Sequence, residues 1–262
     1  AIVFMEQILL CIRIFYVPFI ASDVRFVKQL DGNIILFCLQ IMMCNGMINK
    51  MIPEDKNMKE FKPIIENIKP IGRVMHKDNA LWMCYSATGA AFRFTGKSLS
   101  VVLCGDDRAE NEGMEENLAR VKIYVDGNCT ADLMMDEKEK RVSVINDDVI
   151  NYHLVEVLKV SESAMSTVML KCILADDDAV ILPAEKKNRI IEFAGDSITC
   201  GYGVDDEVAE HSFKTSTEDA TKAYAYLTAQ KLQADHSLVS LSGYGIISGY
   251  SGDGERRPDQ LL

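Results

Sequence analysis

Short segments in which apolar and polar residues alternate fill the middle of the chain. The clearest is Val121–Val125, which is followed by Asp126-Gly127, a pair typical of a two-residue β-hairpin turn. The other segments of this kind are Leu81–Tyr85, Ala91–Phe94, Ser98–Leu103, Val142–Ile145, Tyr152–Val160 and Val168–Ala175. Short strands separated by turn residues predict an all-β sandwich over residues 70–183.

The pattern changes after residue 188. Ile190–Ala194 is a short apolar segment, and we predict that it is the first strand of a parallel sheet. A spacing of three to four residues between apolar positions predicts a helix over 217–232, and Ser237–Leu241 reads as a further strand. The predicted fold has two domains, the sandwich and then the start of an α/β domain over 188–262.

The first 50 residues form an apolar leader with two stretches, Ile8–Ala21 and Ile34–Met43. Neither reaches the roughly 20 residues that span a membrane, so a membrane partner is not expected. Three interpretations stay open: a weak anchor, a displaced core segment, or non-native sequence upstream of a start at Met47 or Met51. We favour the third, because globular patterning begins only after Met51. Residues 51–69 are predicted to be a linker.

Charge excludes one class of partner. The chain has 28 Lys and Arg against 39 Asp and Glu, a net charge of −11. A protein that tracks phosphates needs basic surface, so we expect no nucleic acid partner.

The eight cysteines contain no CxxC pair and have no histidine at zinc-ligand spacing. We therefore expect no metal and no cofactor. Cys84, Cys104 and Cys172 lie in apolar strand-like segments, where a reduced thiol packs as a small apolar group. Reduced thiols favour a reducing compartment, the cytoplasm over secretion.

Aromatic residues of the sandwich allow two interpretations. Trp82, Tyr85 and Tyr124 could be stacking platforms for a sugar, but we favour core or cross-strand packing for them. His76 and His153 are isolated, and we expect ordinary surface or capping roles.

One motif points to catalysis. Gly195-Asp196-Ser197 follows the apolar strand directly, so Ser197 is expected at its carboxyl end, where open α/β sheets bind ligands. Gly195 permits a close backbone approach, and neighbouring N–H groups could face an oxyanion. A plain β-turn is the alternative, since all three residue types are common in turns. We expect Asp196 to order the turn by hydrogen bonding rather than to act as a catalytic acid.

The longer segment Ile191–Gly203 resembles the first block of SGNH (GDSL) hydrolases, and more narrowly carbohydrate esterase family 2, the acetylxylan esterases and their relatives. Ile71–Arg73, Phe92–Leu99, Glu218–Tyr224 and Ser242–Gly245 also resemble that family, so the similarity spans about residues 70–262. It implies a jelly-roll sandwich followed by an α/β/α SGNH domain. It also implies a serine esterase that removes O-acetyl groups from an acetylated poly- or oligosaccharide.

The resemblance assigns roles to individual residues. Ser197 matches the nucleophile, and its N–H matches one oxyanion donor; Gly243 or Gly245 matches the second donor. The family's third donor, an Asn, and its terminal Asp-x-x-His come well beyond the block that Ser242–Gly245 matches. No Asn follows Asn188, so we expect a C-terminally truncated chain with weak hydrolase activity.

His211 and His236 are conceivable substitutes for the missing base, but no spacing supports either. Two other functions stay open: a glycan-binding sandwich with a degenerate hydrolase domain, and a GDSL lipase or acylhydrolase.

Overall fold

The computed structural model describes residues 58–110, 113, 115–208, 210–251 and 255–260. The predicted apolar leader and residues 51–57 of the predicted linker lie outside these ranges. The rest of that linker includes a strand, Lys59–Phe61, which pairs with Ile173–Ala175.

Strands dominate the described residues. In chain order they are β1 (Lys59–Phe61), β2 (Lys69–Ile71), β3 (Val74–Lys77), β4 (Ala80–Met83), β5 (Thr88–Gly105), β6 (Arg120–Val125), β7 (Asn128–Met134), β8 (Glu139–Lys159), β9 (Val168–Ala175), β10 (Val180–Pro183), β11 (Ile190–Gly195) and β12 (Asp235–Ser240). The α-helices are α1 (Ser197–Cys200) and α2 (Tyr224–Lys231), and the 3-10 helices are Asp107–Glu110, Glu115–Asn117, Thr215–Thr217 and Ala220–Lys222.

The first ten of these strands form one antiparallel sheet. Its order is β3-β4-β9-β5-β8-β6-β7, with β1 on β9 and both β2 and β10 on β5. The prediction of a mostly β fold before residue 184 is confirmed. The jelly-roll arrangement and the domain boundary between residues 183 and 188 stay predictions.

Two expected strand breaks are wrong. The predicted segments Ala91–Phe94 and Ser98–Leu103 are not separate strands, because β5 continues through the turn-like pair Thr95-Gly96 with a register shift between Gly96 and Ser98. Asp176 Oδ1 accepts hydrogen bonds from the Lys97 and Ser98 amides, both at 2.9 Å, and so satisfies the backbone at this irregularity. The two segments expected at 142–145 and 152–160 are likewise parts of the single strand β8.

The register shift keeps one core continuous. Phe92 and Phe94 precede it and Leu99 and Val101 follow it, and all four side chains are fully buried in the same apolar cluster. Fully burying such a side chain contributes roughly 1.5–3 kcal/mol. The bend therefore lets both halves of β5 pack on one core.

The hairpin predicted after Val125 is confirmed. Asp126 and Gly127 join β6 to β7 with φ angles of +51° and +81°. Positive φ at both central residues is the type I′ geometry that matches the twist of a hairpin.

The parallel pair predicted after residue 188 is also confirmed. β11 and β12 run parallel, with Ile190 opposite Asp235 and Gly195 opposite Ser240. None of the helices that the structure describes is long and apolar enough to cross a membrane. The five cysteines in the described ranges have free thiols; the reducing compartment stays a prediction.

The helix predicted over 217–232 begins only at Tyr224. The Asp219 carboxylate accepts a hydrogen bond from the Thr221 amide at 3.0 Å and another from Lys122 Nζ at 2.5 Å. These contacts hold Asp219 in an extended conformation, and Ala223 is extended as well, with ψ 154°. Contacts with the sheet thus override the apolar spacing in the first turns.

Candidate active site

Ser197 is the first residue of α1, directly after the carboxyl end of β11, and it is half-buried. Asp196 caps this helix, because its Oδ1 accepts a hydrogen bond from the Ile198 amide at 3.0 Å. The prediction that Asp196 orders the turn is confirmed. Gly201, with φ +78°, ends the helix after a single turn.

Two glycines of the motif are required by close packing. A Cβ atom on Gly195 would lie 2.0 Å from Thr199 Oγ1, and one on Gly201 would lie 2.3 Å from the Asp219 carbonyl oxygen. Any side chain at either position would displace α1 from β11 or from the segment before α2. The motif therefore fixes the sharp turn that presents Ser197.

The segment Ser242–Gly245 lies beside this turn. The Leu241 amide donates to the Gly195 carbonyl at 3.1 Å and brings the loop after β12 next to β11. The Gly245 amide is already used, because it donates to the Gln260 carbonyl at 3.2 Å. Within the described residues, the N–H groups of Ser197 and Gly243 have no hydrogen-bond acceptor. Of the two candidate donors, Gly243 therefore has the N–H group that is free to bind an oxyanion.

Neither candidate histidine has a hydrogen bond to Ser197. His236 is buried and donates from Nε2 to the Ala87 carbonyl at 2.9 Å, and burial lowers its pKa. It lies four residues before Ser240 on β12, roughly 13 Å from the end of the sheet where Ser197 stands. His211 is exposed, and its Nδ1 lies 2.9 Å from Asp206 Oδ1.

A buried ionic network attaches this region to the sheet. Arg120 on β6 donates to both carboxylate oxygens of Asp132 at 2.8 and 2.7 Å, and to Asp205 Oδ2 at 2.8 Å. Its Nη1 also donates to the Glu218 carbonyl at 3.2 Å. The loop after α1 is thus held by a cation from the sheet. Sequence analysis missed this network, since no spacing relates its members.

Comparison with known proteins bears on the identity of this arrangement. Residues 70–184 match the family model described as Carbohydrate esterase 2 N-terminal. An acetylxylan esterase / glucomannan deacetylase from Cellvibrio japonicus is 26% identical over 195 residues, which cover 74% of this chain and 52% of that protein. The chain is similar to proteins of carbohydrate esterase family 2 over the residues matched. The predicted resemblance is confirmed.

Two solved structures of esterases have a similar fold. A family two carbohydrate esterase from Clostridium thermocellum, in complex with cellohexaose, is 25% identical with a TM-score of 0.62; the match covers 72% of this chain and 55% of that one. An acetyl xylan esterase from the rumen bacterium Butyrivibrio proteoclasticus is 21% identical with a TM-score of 0.67, over 79% and 54% of the two chains. The chain thus spans about half the length of these family members.

The aromatic residues considered as sugar platforms are placed differently from one another. Tyr124 is not a free platform, because it lies between the sheet and the segment before α2 and its hydroxyl donates to Thr221 Oγ1 at 3.2 Å. Trp82 lines a cavity of about 530 Å³ together with Met169, Cys104 and Glu139. These four side chains sit in register on β4, β9, β5 and β8. Glycan binding by the sheet stays a prediction.

A group of three buried side chains lies beneath α1. Ligand atoms of Glu162, Cys200 and Glu218 approach within 4.8 Å of one another, the one such group with metal-ligating atoms in the described residues. Lys159 is also fully buried beside them, and burial lowers the pKa of its amine to about 8. Its Nζ donates to the backbone carbonyl oxygens of Ser161 and Glu162.

The ionic network around Arg120 predicts that acid weakens the contact between the sheet and the loop after α1. Burial opposes ionisation of Asp132 and Asp205. The hydrogen bonds and positive charges of Arg120 and Lys122 at Asp132, and of Lys222 and Arg120 at Asp205, outweigh burial and hold both pKa values below the ordinary 3.8. A lowered pKa adds stability above the unfolded-state value, and that stability is lost as the pH falls through the folded-state value.

We therefore expect the urea midpoint of the chain to decrease between pH 4.5 and pH 3. Glu218 acts in the opposite sense, because burial raises its pKa from 4.5 to about 8, so its effect is to increase stability as the pH falls between these two values. The chosen window lies below that range. The decrease should be smaller in Arg120→Met, which removes the shared cation. An equal decrease in both proteins would contradict the assignment.

Proposed function

We propose that residues 188–262 carry the nucleophile and oxyanion donors of a serine esterase that removes O-acetyl groups from carbohydrate. The observation that carries the proposal is Ser197, half-buried at the carboxyl end of β11, with its own N–H and that of Gly243 unpaired within the described residues. The name of the Cellvibrio japonicus relative supports an acetylated polysaccharide as substrate. We do not propose the lipid-active alternative, because the relatives are carbohydrate esterases.

The proposed reaction follows from these groups. The Ser197 hydroxyl oxygen attacks the acetyl carbonyl carbon while a general base takes its proton. The N–H groups of Ser197 and Gly243 donate to the oxyanion that forms. Collapse of this intermediate breaks the bond to the sugar oxygen, which leaves with the proton as a free hydroxyl group. Water then hydrolyses the acetyl-serine to acetate and restores Ser197.

We do not assign the general base to His211 or to His236. Burial and the bond to Ala87 occupy His236, and its place on β12 is at the wrong end of the strand pair. We further propose that the sheet domain is a jelly roll that supports an SGNH domain beginning at β11. The antiparallel strand order before residue 184 and the parallel pair after it support this division.

Acetate release from acetylated xylan by the full gene product containing residues 1–262 tests the function. Replacing His211 with alanine should leave the rate within about twofold, because this ring pairs with Asp206 at the surface and not with Ser197. Tributyrin serves as the comparison substrate for the lipid-active alternative. A loss of two orders of magnitude in His211→Ala would move the base to His211, and preferential cleavage of tributyrin would contradict the carbohydrate assignment.

A further inference from the structure

The side chain of Glu162 joins the sheet to the candidate active site. Glu162 lies in the connection between β8 and β9 and is fully buried. Its Oε2 accepts a hydrogen bond from the Ser242 amide at 2.8 Å and lies 3.9 Å from the Cys200 thiol. Its own amide donates to Glu218 Oε2 at 2.9 Å. One residue of the sheet domain thus contacts three separate segments that follow β11.

Two of those segments carry the proposed chemistry. Ser242 directly precedes Gly243, whose N–H is the proposed second oxyanion donor, and Cys200 is the last residue of the helix that Ser197 begins. The N–H of Gly243 belongs to the peptide that joins it to Ser242, so the position of that peptide sets the direction of the N–H. Gly243 itself has φ +83°. The bond from Leu241 to Gly195 holds the loop on one side, and the bond to Glu162 holds it on the other.

Neighbouring side chains hold the backbone of Glu162 in place. Lys159 Nζ donates to the Ser161 and Glu162 carbonyl oxygens at 2.5 and 2.8 Å and fixes the backbone there. Burial raises the pKa of Glu218 to about 8, which favours the neutral form of this carboxyl group beside Glu162. The Glu162 carboxyl group is therefore buried, anchored by its own backbone and directed at one amide of the loop.

We propose that Glu162 is a positioning residue for the oxyanion hole: its carboxylate sets the Ser242–Gly243 peptide relative to the helix that begins at Ser197. This inference rests on the proposed function of Ser197 and Gly243, and it assigns the sheet a part in catalysis other than substrate binding. Glu162 itself touches no reacting atom. Its effect passes through a single main-chain hydrogen bond.

Three substitutions separate this role from a role in charge or stability alone. Glu162→Gln keeps the side-chain length and a carbonyl acceptor for the Ser242 amide but loses the charge. Glu162→Asp keeps the charge but withdraws the acceptor by one methylene. Glu162→Ala removes both. Glu66→Ala, at an exposed position of the same domain, is the matched control.

We expect kcat for acetate release by the full gene product to depend on whether the side-chain oxygen at position 162 reaches the Ser242 amide. Glu162→Gln should stay within about threefold of wild type, whereas Glu162→Asp should lose roughly 10- to 100-fold, because a misplacement near 1 Å costs about that much. KM should change by less than about twofold in both. The opposite order, with Glu162→Asp active and Glu162→Gln impaired, would overturn the proposal, as would losses that match only the folded fraction. If Glu162→Ala does not fold, the Gln and Asp pair still decides.

Hydrogen exchange gives a readout that needs no activity. In the chain of 262 residues, the Ser242 amide should be protected in wild type and Glu162→Gln and lose at least tenfold of its protection in Glu162→Asp. Unchanged protection would contradict the hydrogen bond itself. If protection follows this order but wild type releases no acetate, the proposed function fails while the positioning contact stands. If wild type is active and the variants match it, the positioning role alone fails.

Discussion

Replacing Ser197 with alanine is expected to reduce acetate release from acetylated xylan by at least about three orders of magnitude, because no other group replaces the attacking hydroxyl. Ser197 stands at the carboxyl end of β11 and is only half-buried, so losing one oxygen atom should not disturb packing. Acetate release and the thermal midpoint of the full gene product containing residues 1–262 are the measurements.

The matched control is Ser216→Ala, the same change at an exposed position between α1 and α2. It should leave both acetate release and the midpoint unchanged. Turnover in Ser197→Ala equal to that of the control would remove Ser197 from the mechanism, whatever the family resemblance.

Replacing Arg120 with methionine is expected to lower the free energy of unfolding by about 3 kcal/mol. The arginine side chain is 11% exposed and is shared by Asp132 and Asp205, so its loss removes one cation from each of two partly buried carboxylates. It leaves Lys122 beside Asp132 and Lys222 beside Asp205. Urea unfolding of the 262-residue chain at pH 7 measures the change. Methionine preserves most of the apolar length of the side chain and limits the effect of a cavity.

Arg73 provides the comparison. It also forms a two-bond contact from the sheet to the part after residue 188, to Glu192 at 2.9 and 2.7 Å, but its side chain is 59% exposed. Exposed ion pairs contribute little, so Arg73→Met should lower the free energy of unfolding much less than Arg120→Met does. Equal losses in the two variants would mean that burial of the Arg120 network does not decide its contribution.

Features fixed by neighbouring residues could be predicted from the sequence. The Asp126-Gly127 turn, strand β9 and the order of strand, Asp196 and Ser197 depend on local backbone preferences and on alternation, which a sequence displays directly. The candidate nucleophile also lies within one continuous motif, so its location required no knowledge of distant contacts.

Features fixed by distant residues could not be predicted in the same way. The Thr95-Gly96 pair is a sound turn signal, yet β5 continues through it because Asp176, far along the chain, satisfies the amides that follow. The apolar spacing before Tyr224 is helical, yet Lys122 on β6 binds Asp219, which is extended, and the α-helix does not start before Tyr224. In both places a buried polar partner outweighs the local preference.

The sequence alone determined which residue could be the nucleophile and that a short apolar strand precedes it, since those properties belong to a few consecutive residues. Tertiary structure alone decided that the Gly245 amide is occupied whereas that of Gly243 has no acceptor among the described residues, and that His236 hydrogen-bonds to Ala87. It also brought Glu162 against Ser242, 80 residues away. A hydrogen bond requires two groups within about 3 Å, and only the packing of the parallel strands against the sheet brings such remote groups that close.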